Sequence, residues 1–178
     1  MTLIVETGTG DIAAQSYCSV ADADAYHADF GNSEWAVLTT NAKEVALRKA
    51  TQYMSQNYRE RWDGYRRTNE QALDWPRTEV RRRDAPTTYG SATGYMVNYY
   101  PIDSVPTIVI HACAELALRS TVASLLEDLE PAVASESVGP ISVSYFPGAS
   151  REKKFPAVER LLQPVLSGST SALKMVRA

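Results

Sequence analysis

The chain has 178 residues, a formal net charge of −3, and 44% hydrophobic against 22% charged residues. That size predicts one domain, or one with an appendage, whose core is large enough to stand without disulfides. The balance disfavours global attraction to nucleic acid or an anionic membrane. No apolar run approaches the roughly 20 residues that span a bilayer, and Met1 to Gly10 lacks the basic stretch of a signal peptide.

The small net charge hides a split. Residues 1–42 hold six acids (Glu6, Asp11, Asp22, Asp24, Asp29 and Glu34) and no Lys or Arg. Residues 59–83 hold eight of the 18 basic residues, all arginine, against five acids. Such a layout suits a protein that meets copies of itself or several partners. It equally suits a solvated surface, since exposed charges do little.

In chain order, Leu3-Ile4-Val5 is a short strand pattern ended by a turn at Thr7-Gly8-Thr9-Gly10. Ser19 caps a first helix with Asp22 as the capping-box partner, and the helix runs to about Phe30 and stops at Gly31. Val20, Ala21, Ala25 and Tyr26 make its apolar face. A second helix covers about Asn41 to Tyr58, capped by Thr40 or Asn41. Its apolar positions are Ala42, Val45, Ala46, Ala50, Tyr53, Met54 and Tyr58, with Lys49 as the polar interruption and Glu44–Arg48 as an i, i+4 pair.

Residues 60–104 carry three glycines, three prolines, two of three tryptophans and five of ten tyrosines. This reads as a long irregular or β-containing arm inserted in the helical domain. Gln71 to Trp75 makes at most one helical turn before Pro76, and Met96 to Tyr100 has strand character. The third helix opens at Pro106 and runs from Thr107 to Asp128. Its first half is apolar nearly all round, the pattern of a central helix. Pro131 starts a linker. Ile141 to Tyr145 is a period-2 strand that needs a partner, which Leu3–Val5, Met96–Tyr100 or a neighbouring subunit supplies. A last helix spans about Pro156 to Leu166, with Val158, Leu161, Leu162 and Val165 on its apolar face, shortened or kinked by Pro164. The tail from 167 to 178, rich in Ser, Thr and Gly and then basic, is expected to be mobile.

Catalytic chemistry has little support. His111 and Glu115 share a helix face and could share a metal with His27, but the pattern lacks HExxH and CxxC, and an ion pair from Glu115 to Arg119 accounts for the spacing. Cys18 and Cys113 sit in helix-like sequence and read as buried thiols. Gly8-Thr9-Gly10 is a turn rather than a phosphate loop. The informative cluster is the arm. Arg59, Arg61, Arg66, Arg67, Arg77, Arg81, Arg82 and Arg83 interleave with Tyr58, Trp62, Tyr65 and Trp75. Three readings stay open: a protein interface anchored by Trp, Tyr and Arg, a single-strand stacking groove, and a loop packed on its own core.

Several blocks occur in combination: Leu3-Ile4-Val5-Glu6-Thr7-Gly8-Thr9-Gly10, Ser16-Tyr17-Cys18-Ser19-Val20, Ala21-Asp22-Ala23-Asp24-Ala25-Tyr26-His27, Ala46-Leu47-Arg48-Lys49-Ala50-Thr51, Gln71-Ala72-Leu73-Asp74-Trp75-Pro76-Arg77, Ala114-Glu115-Leu116-Ala117, Glu136-Ser137-Val138-Gly139-Pro140-Ile141 and Phe155-Pro156-Ala157-Val158. Over about residues 3–166 this resembles a tailed-phage family often labelled DnaT-like single-stranded DNA-binding protein. More distantly it is similar to the head–tail connector (adaptor) proteins below the portal. The connector resemblance implies a non-enzymatic ring subunit without cofactor or metal, twelve copies to a ring. That ring docks on the portal, joins a neck or tail-completion protein and passes double-stranded DNA without sequence specificity. It implies a place in the virion, with assembly in the host cytoplasm. The other label implies single-strand DNA binding. A net acidic chain with a nearly charge-balanced arm favours the connector.

The expected architecture is therefore mainly α, a bundle of about four helices over residues 1–166 with the arm at 60–104, a strand near 141–145 and a separate tail. Trp62, Tyr65, Arg66, Arg67, Trp75 and Arg77 are the expected subunit contacts, meeting the acidic N-terminal face of the next copy. Lys174, Met175 and Arg177 are expected to dock on the portal, and Arg81, Arg82 and Arg83 are the candidate DNA contacts.

Overall fold

The computed structural model describes residues 2–85, 98–126 and 153–167, and the backbone of 135–138 and 141–144. The tail residues expected to dock on the portal, Lys174, Met175 and Arg177, lie outside the described residues, as does Tyr145. The fold is predominantly helical with minor β structure. Its elements are α1 (Val20–Asp29), α2 (Ser33–Ala36), α3 (Thr40–Tyr58), β1 (Tyr65–Arg66), β2 (Arg77–Thr78), α4 (Thr107–Val122), β3 (Ser135–Val138), β4 (Ile141–Ser144) and α5 (Pro156–Leu162), the last continued by a 3-10 turn at Gln163–Val165. No helix among the described residues is long and apolar enough to cross a membrane.

Local signals place the helix ends. Ser19 Oγ accepts from Asp22 N at 3.0 Å, and the Asp22 carboxylate returns to Ser19, closing the capping box. Gly31 follows the helix at φ +69°, a left-handed conformation that terminates α1. The cap of α3 is Thr39, one residue before the expected position; its Oγ1 accepts from Ala42 N at 3.3 Å. Pro164 falls in the 3-10 turn, so it shortens α5 as its missing N–H requires.

The buried faces differ from the simple periodic reading. In α1 the buried residues are Ala23, Tyr26 and His27, while Ala21 and Ala25 face solvent. α1 packs against α2, α3 and α4, and Ala23, Tyr26 and His27 are the residues it buries. In α3 Val45 is exposed, and Leu47 and Thr51 are buried in its place. The helix packs along α4 throughout, and α4 is the central element, covered also by α1 and α5. Val109, Ala112, Cys113, Ala114, Leu116 and Ala117 are all buried there. The helix ends at Val122 rather than Asp128. Val122 is 78% exposed, and the chain leaves the helix there at an extended Ala123 while Leu125 beyond it returns to the core.

The described parts of the arm, 60–85 and 98–104, pack against the helical domain. Trp62, Leu73, Trp75 and Val80 join Tyr17, Tyr53, Tyr58 and α5 in one continuous core. The expected turn of helix at Gln71–Trp75 is absent. Instead Gln71, buried, bonds its side chain to Thr68 N (2.9 Å), Leu73 O (2.8 Å) and Pro76 O (3.1 Å), which shapes a loop. The 141–145 strand finds its partner next door. β4 pairs antiparallel with β3 in the register Val138↔Ile141 to Ser135↔Ser144 across Gly139-Pro140. The stretch after Pro131 read as linker thus contains a strand, and among the described residues neither Leu3–Val5 nor 98–100 pairs with β4. Val5 bridges Ser16, and Tyr99 bridges Arg81.

Candidate nucleic-acid interface

The N-terminal loop comes first because the arm is built against it. Glu6, only 2% exposed, accepts three backbone N–H bonds: Gly8 and Gly10 at Oε1 (2.8 and 3.0 Å) and Asp11 at Oε2 (2.8 Å). The loop then receives the arm. Arg67 donates to Gly8 O at 2.6 Å and Ala72 N to Asp11 O at 3.2 Å. Gly8, at φ +107°, leaves no room for a side chain, since a Cβ would stand 2.0 Å from Asp103 O.

The six residues expected at a subunit contact separate into two groups. Trp62 (4% exposed) and Trp75 (0%) meet edge to face at 5.8 Å in the core. Arg77 is buried with them, donating to the carbonyls of Asp63 (2.7 Å), Gly64 (2.6 Å) and Asp74 (3.2 Å). Burial pulls its pKa down, and the Asp74 charge opposes that. These three side chains are spent inside the subunit and present no surface. Tyr65, Arg66 and Arg67 are exposed, but Arg66 donates to Gln71 O and Arg67 to Gly8 O. The acidic start and the arginine arm therefore already meet within one chain, largely through backbone carbonyls. The five nearby acids are also partly committed: buried Asp74 holds Arg59 at 3.0 Å.

The cations left outward are Arg81 and Arg82. Residues 80–82 run antiparallel to 98–100, with Tyr100 N to Val80 O at 2.9 Å and Arg82 N to Asn98 O at 2.8 Å. This ladder sets Arg81 directly across from Tyr99, which is 51% exposed. The Arg82 guanidinium lies 4.7 Å over the Tyr100 ring. Neither arginine has an ion pair among the described residues. Arg83 differs: it donates to Leu166 O at 2.8 Å and stands 3.9 Å from Asp63, so it ties the arm to the end of α5. Tyr65, 68% exposed, offers a second ring on β1. The ladder brings Arg81, Arg82, Tyr99 and Tyr100 together. Tyr99 was missed from sequence because 17 residues separate it from Arg82; the Tyr99-Tyr100 doublet was its one signal.

The histidines do not gather a metal. His27 is buried, with Nε2 donating to Ala114 O at 3.1 Å and Nδ1 accepting from Asn32 Nδ2 at 3.0 Å, which fixes its tautomer. His111 lies against Tyr26 at 4.6 Å. Burial pushes the Glu115 carboxyl up, but the bonds from Arg119 and from Tyr26 Oη (2.9 Å) outweigh it and hold its pKa below the usual value. No three His, Cys, Asp or Glu side chains among the described residues stand together as a metal site. Cys18, which precedes α1 rather than lying in a helix, and Cys113 are free, buried thiols whose pKa burial raises. A cleft of about 390 Å³ between α1, α2 and α3 is lined by Asp24, Trp35 and Lys43 among others. Asp24 Oδ1 accepts there from both Lys43 (2.8 Å) and Trp35 Nε1 (2.7 Å).

A sequence profile of the family described as "Putative DnaT-like ssDNA binding protein" matches residues 1–178. No curated protein and no solved structure matches the chain.

Proposed function

The chain belongs to the DnaT-like single-stranded DNA-binding protein family, and from that premise we propose that the 80–82/98–100 ladder is where it holds a single strand. The observation that carries this is the Arg81 guanidinium, without an ion pair among the described residues and set across from the exposed Tyr99 ring, with the Arg82 guanidinium over the adjacent Tyr100 ring. Rings stack on any base at about 1–3 kcal/mol each, and cations beside them neutralise the adjoining phosphates. Two phosphate contacts predict a shallow salt dependence, with a log–log slope of roughly −1.4 for single strands. A net charge of −3 limits any further nonspecific attraction. Fluorescence anisotropy with a labelled thymidine oligomer, from low to moderate salt, tests this. Arg81→Glu with Arg82→Glu abolishes binding, and Tyr99→Ala weakens it about tenfold. Binding unchanged in both variants, or none at low salt, refutes the proposal.

A second reading is favoured by the β3–β4 hairpin. Its two strands form a two-stranded sheet, which is marginal alone in water. Strand addition from a neighbouring copy would complete it. This supports a structural, non-catalytic ring subunit, a phage head–tail connector of about twelve copies by resemblance. It would sit under the portal in the virion, with a neck or tail-completion protein below and double-stranded DNA passing through. Mass photometry decides between the readings. Particles at a multiple of the 19.6 kDa chain mass that bind portal support the ring, and a chain that stays single beside portal refutes it.

A further inference from the structure

Exposed rings and cations continue along the arm beyond the 80–82/98–100 ladder. Tyr65, on β1, is 68% exposed and pairs with Thr78 of β2. Cross-strand partners point to the same face of a ribbon, and successive residues to opposite faces. Arg77 is buried, so the Tyr65–Thr78 pair faces away from the core. Val80 is buried too, so the Arg81–Tyr99 pair also faces away from it. Glu79 links the two ladders at φ +61°, a left-handed bend that a non-glycine residue adopts only at a cost.

The cation beside Tyr65 is Arg67. It is exposed and donates to Gly8 O at 2.6 Å. A carbonyl fixes the direction of a guanidinium without cancelling its charge, and other N–H donors of the group stay free. Arg67 has no carboxylate partner among the described residues. Holding the group in place beforehand lowers the cost of meeting a phosphate. Arg66 lies on the opposite face, across from buried Arg77, and donates to Gln71 O. The two rings are within reach of one strand. Thr78 and Arg81 are three residues apart, so their Cα atoms lie within about 11 Å. Each ladder adds about 5 Å across. Tyr65 and Tyr99 therefore stand within about 22 Å, which about seven nucleotides cover at about 3.4 Å per step.

We propose that one single strand runs from the ladder onto β1, with Tyr65 as its second exposed stacking ring and Arg67 as its third phosphate contact. This rests on the reading of the ladder as the seat of the strand, and the test separates the two. A labelled thymidine dodecamer is titrated with the full chain by fluorescence anisotropy over a range of salt. The ladder alone gives a log–log slope of roughly −1.4, and a third phosphate steepens it to roughly −2.1. Tyr65→Ala weakens binding about tenfold and keeps the parental slope. Arg67→Gln returns the slope to roughly −1.4. Circular dichroism checks that both fold. Tyr65 lies at the surface, so its variant carries the test if Arg67→Gln unseats the N-terminal loop. A parental slope of roughly −1.4 overturns the proposal. So does a Tyr65→Ala affinity equal to the parent's while Arg81→Glu with Arg82→Glu still abolishes binding. Both results leave the ladder reading standing, whereas no binding by the parent at low salt overturns the two together.

Discussion

Replacing Glu6 by glutamine isolates the contribution of one buried carboxylate to the seating of the arm. The side chain keeps its shape and one oxygen. That oxygen still accepts from Gly8 and Gly10, at 2.8 and 3.0 Å in the parent. The new amide nitrogen faces Asp11 N–H, 2.8 Å from Oε2 in the parent, so a donor meets a donor. A hydrogen bond to a charged acceptor contributes about 1.5–3 kcal/mol, and an orphaned buried N–H costs about 1–3 kcal/mol. One bond lost and two weakened come to roughly 3 kcal/mol. The loop carries the Arg67 and Ala72 bonds and the close packing of Gly8 on Asp103, so the loss falls on the native state as a whole. Urea unfolding followed by tryptophan fluorescence reads it. The midpoint falls with an unchanged slope, and Tm drops by roughly 6–12 °C at about 2–4 °C per kcal/mol for a chain of this size. Glu70→Gln, on the exposed surface, stays within about 0.5 kcal/mol of the parent. A Glu6→Gln midpoint equal to that of Glu70→Gln would refute the reasoning.

Two further outcomes follow from backbone and burial. Burial holds the His27 pKa below its usual value, and its Nδ1 already accepts from Asn32. As pH falls through about 6.5 the unfolded chain takes the proton first, so stability declines toward the folded pKa; above about 7.5 both states are neutral and His27 adds no slope. His27→Asn reduces that slope in urea midpoints measured against pH, and equal slopes in parent and variant would count against it. Gly8→Ala drives a Cβ into Asp103 O and destabilises by about 3 kcal/mol or more. Gly31→Ala, with φ +69° but nothing within 4 Å, costs only about 1 kcal/mol. Equal midpoints for the two glycine variants would contradict the packing described.

What was legible in the sequence was local. Ser19 with Asp22, Gly31, Pro106 and Pro164 act within one turn of themselves, and each marks a helix end close to where it lies. The all-round apolar run of α4 is likewise a property of one segment. The arm shows why the rest was not legible. Trp62 and Trp75 look like surface anchors in an aperiodic, arginine-rich stretch. Their burial is decided by Tyr58 close by and by Tyr17 and Leu166, which stand about 45 to 104 residues away. Arg77 is hidden for a more local reason: its three acceptors are backbone carbonyls within 14 residues, which no side-chain pattern announces. The hairpin partner escaped notice because Ser135-Glu136-Ser137-Val138 has one apolar residue in four and no alternation to announce a strand. For the candidate site, the arginine run was visible, but which arginines remain uncommitted depends on carbonyls and carboxylates supplied from elsewhere.

The bridge between Trp62 and Leu166, with Asp63 N on Val165 O and Ser167 N on Arg61 O, sets an order of events during synthesis. A contact spanning about a hundred residues closes late, because the chain between its ends must be ordered first. At about 5–20 residues per second, the ribosome leaves Trp62 waiting several seconds for Leu166. Throughout that interval α3 and the arm expose tryptophan and tyrosine rings that the finished core covers. A nascent chain halted before residue 156 would lack α5 and be a natural substrate for chaperones or proteases, so the last helix serves as the checkpoint at which the first half of the protein becomes native.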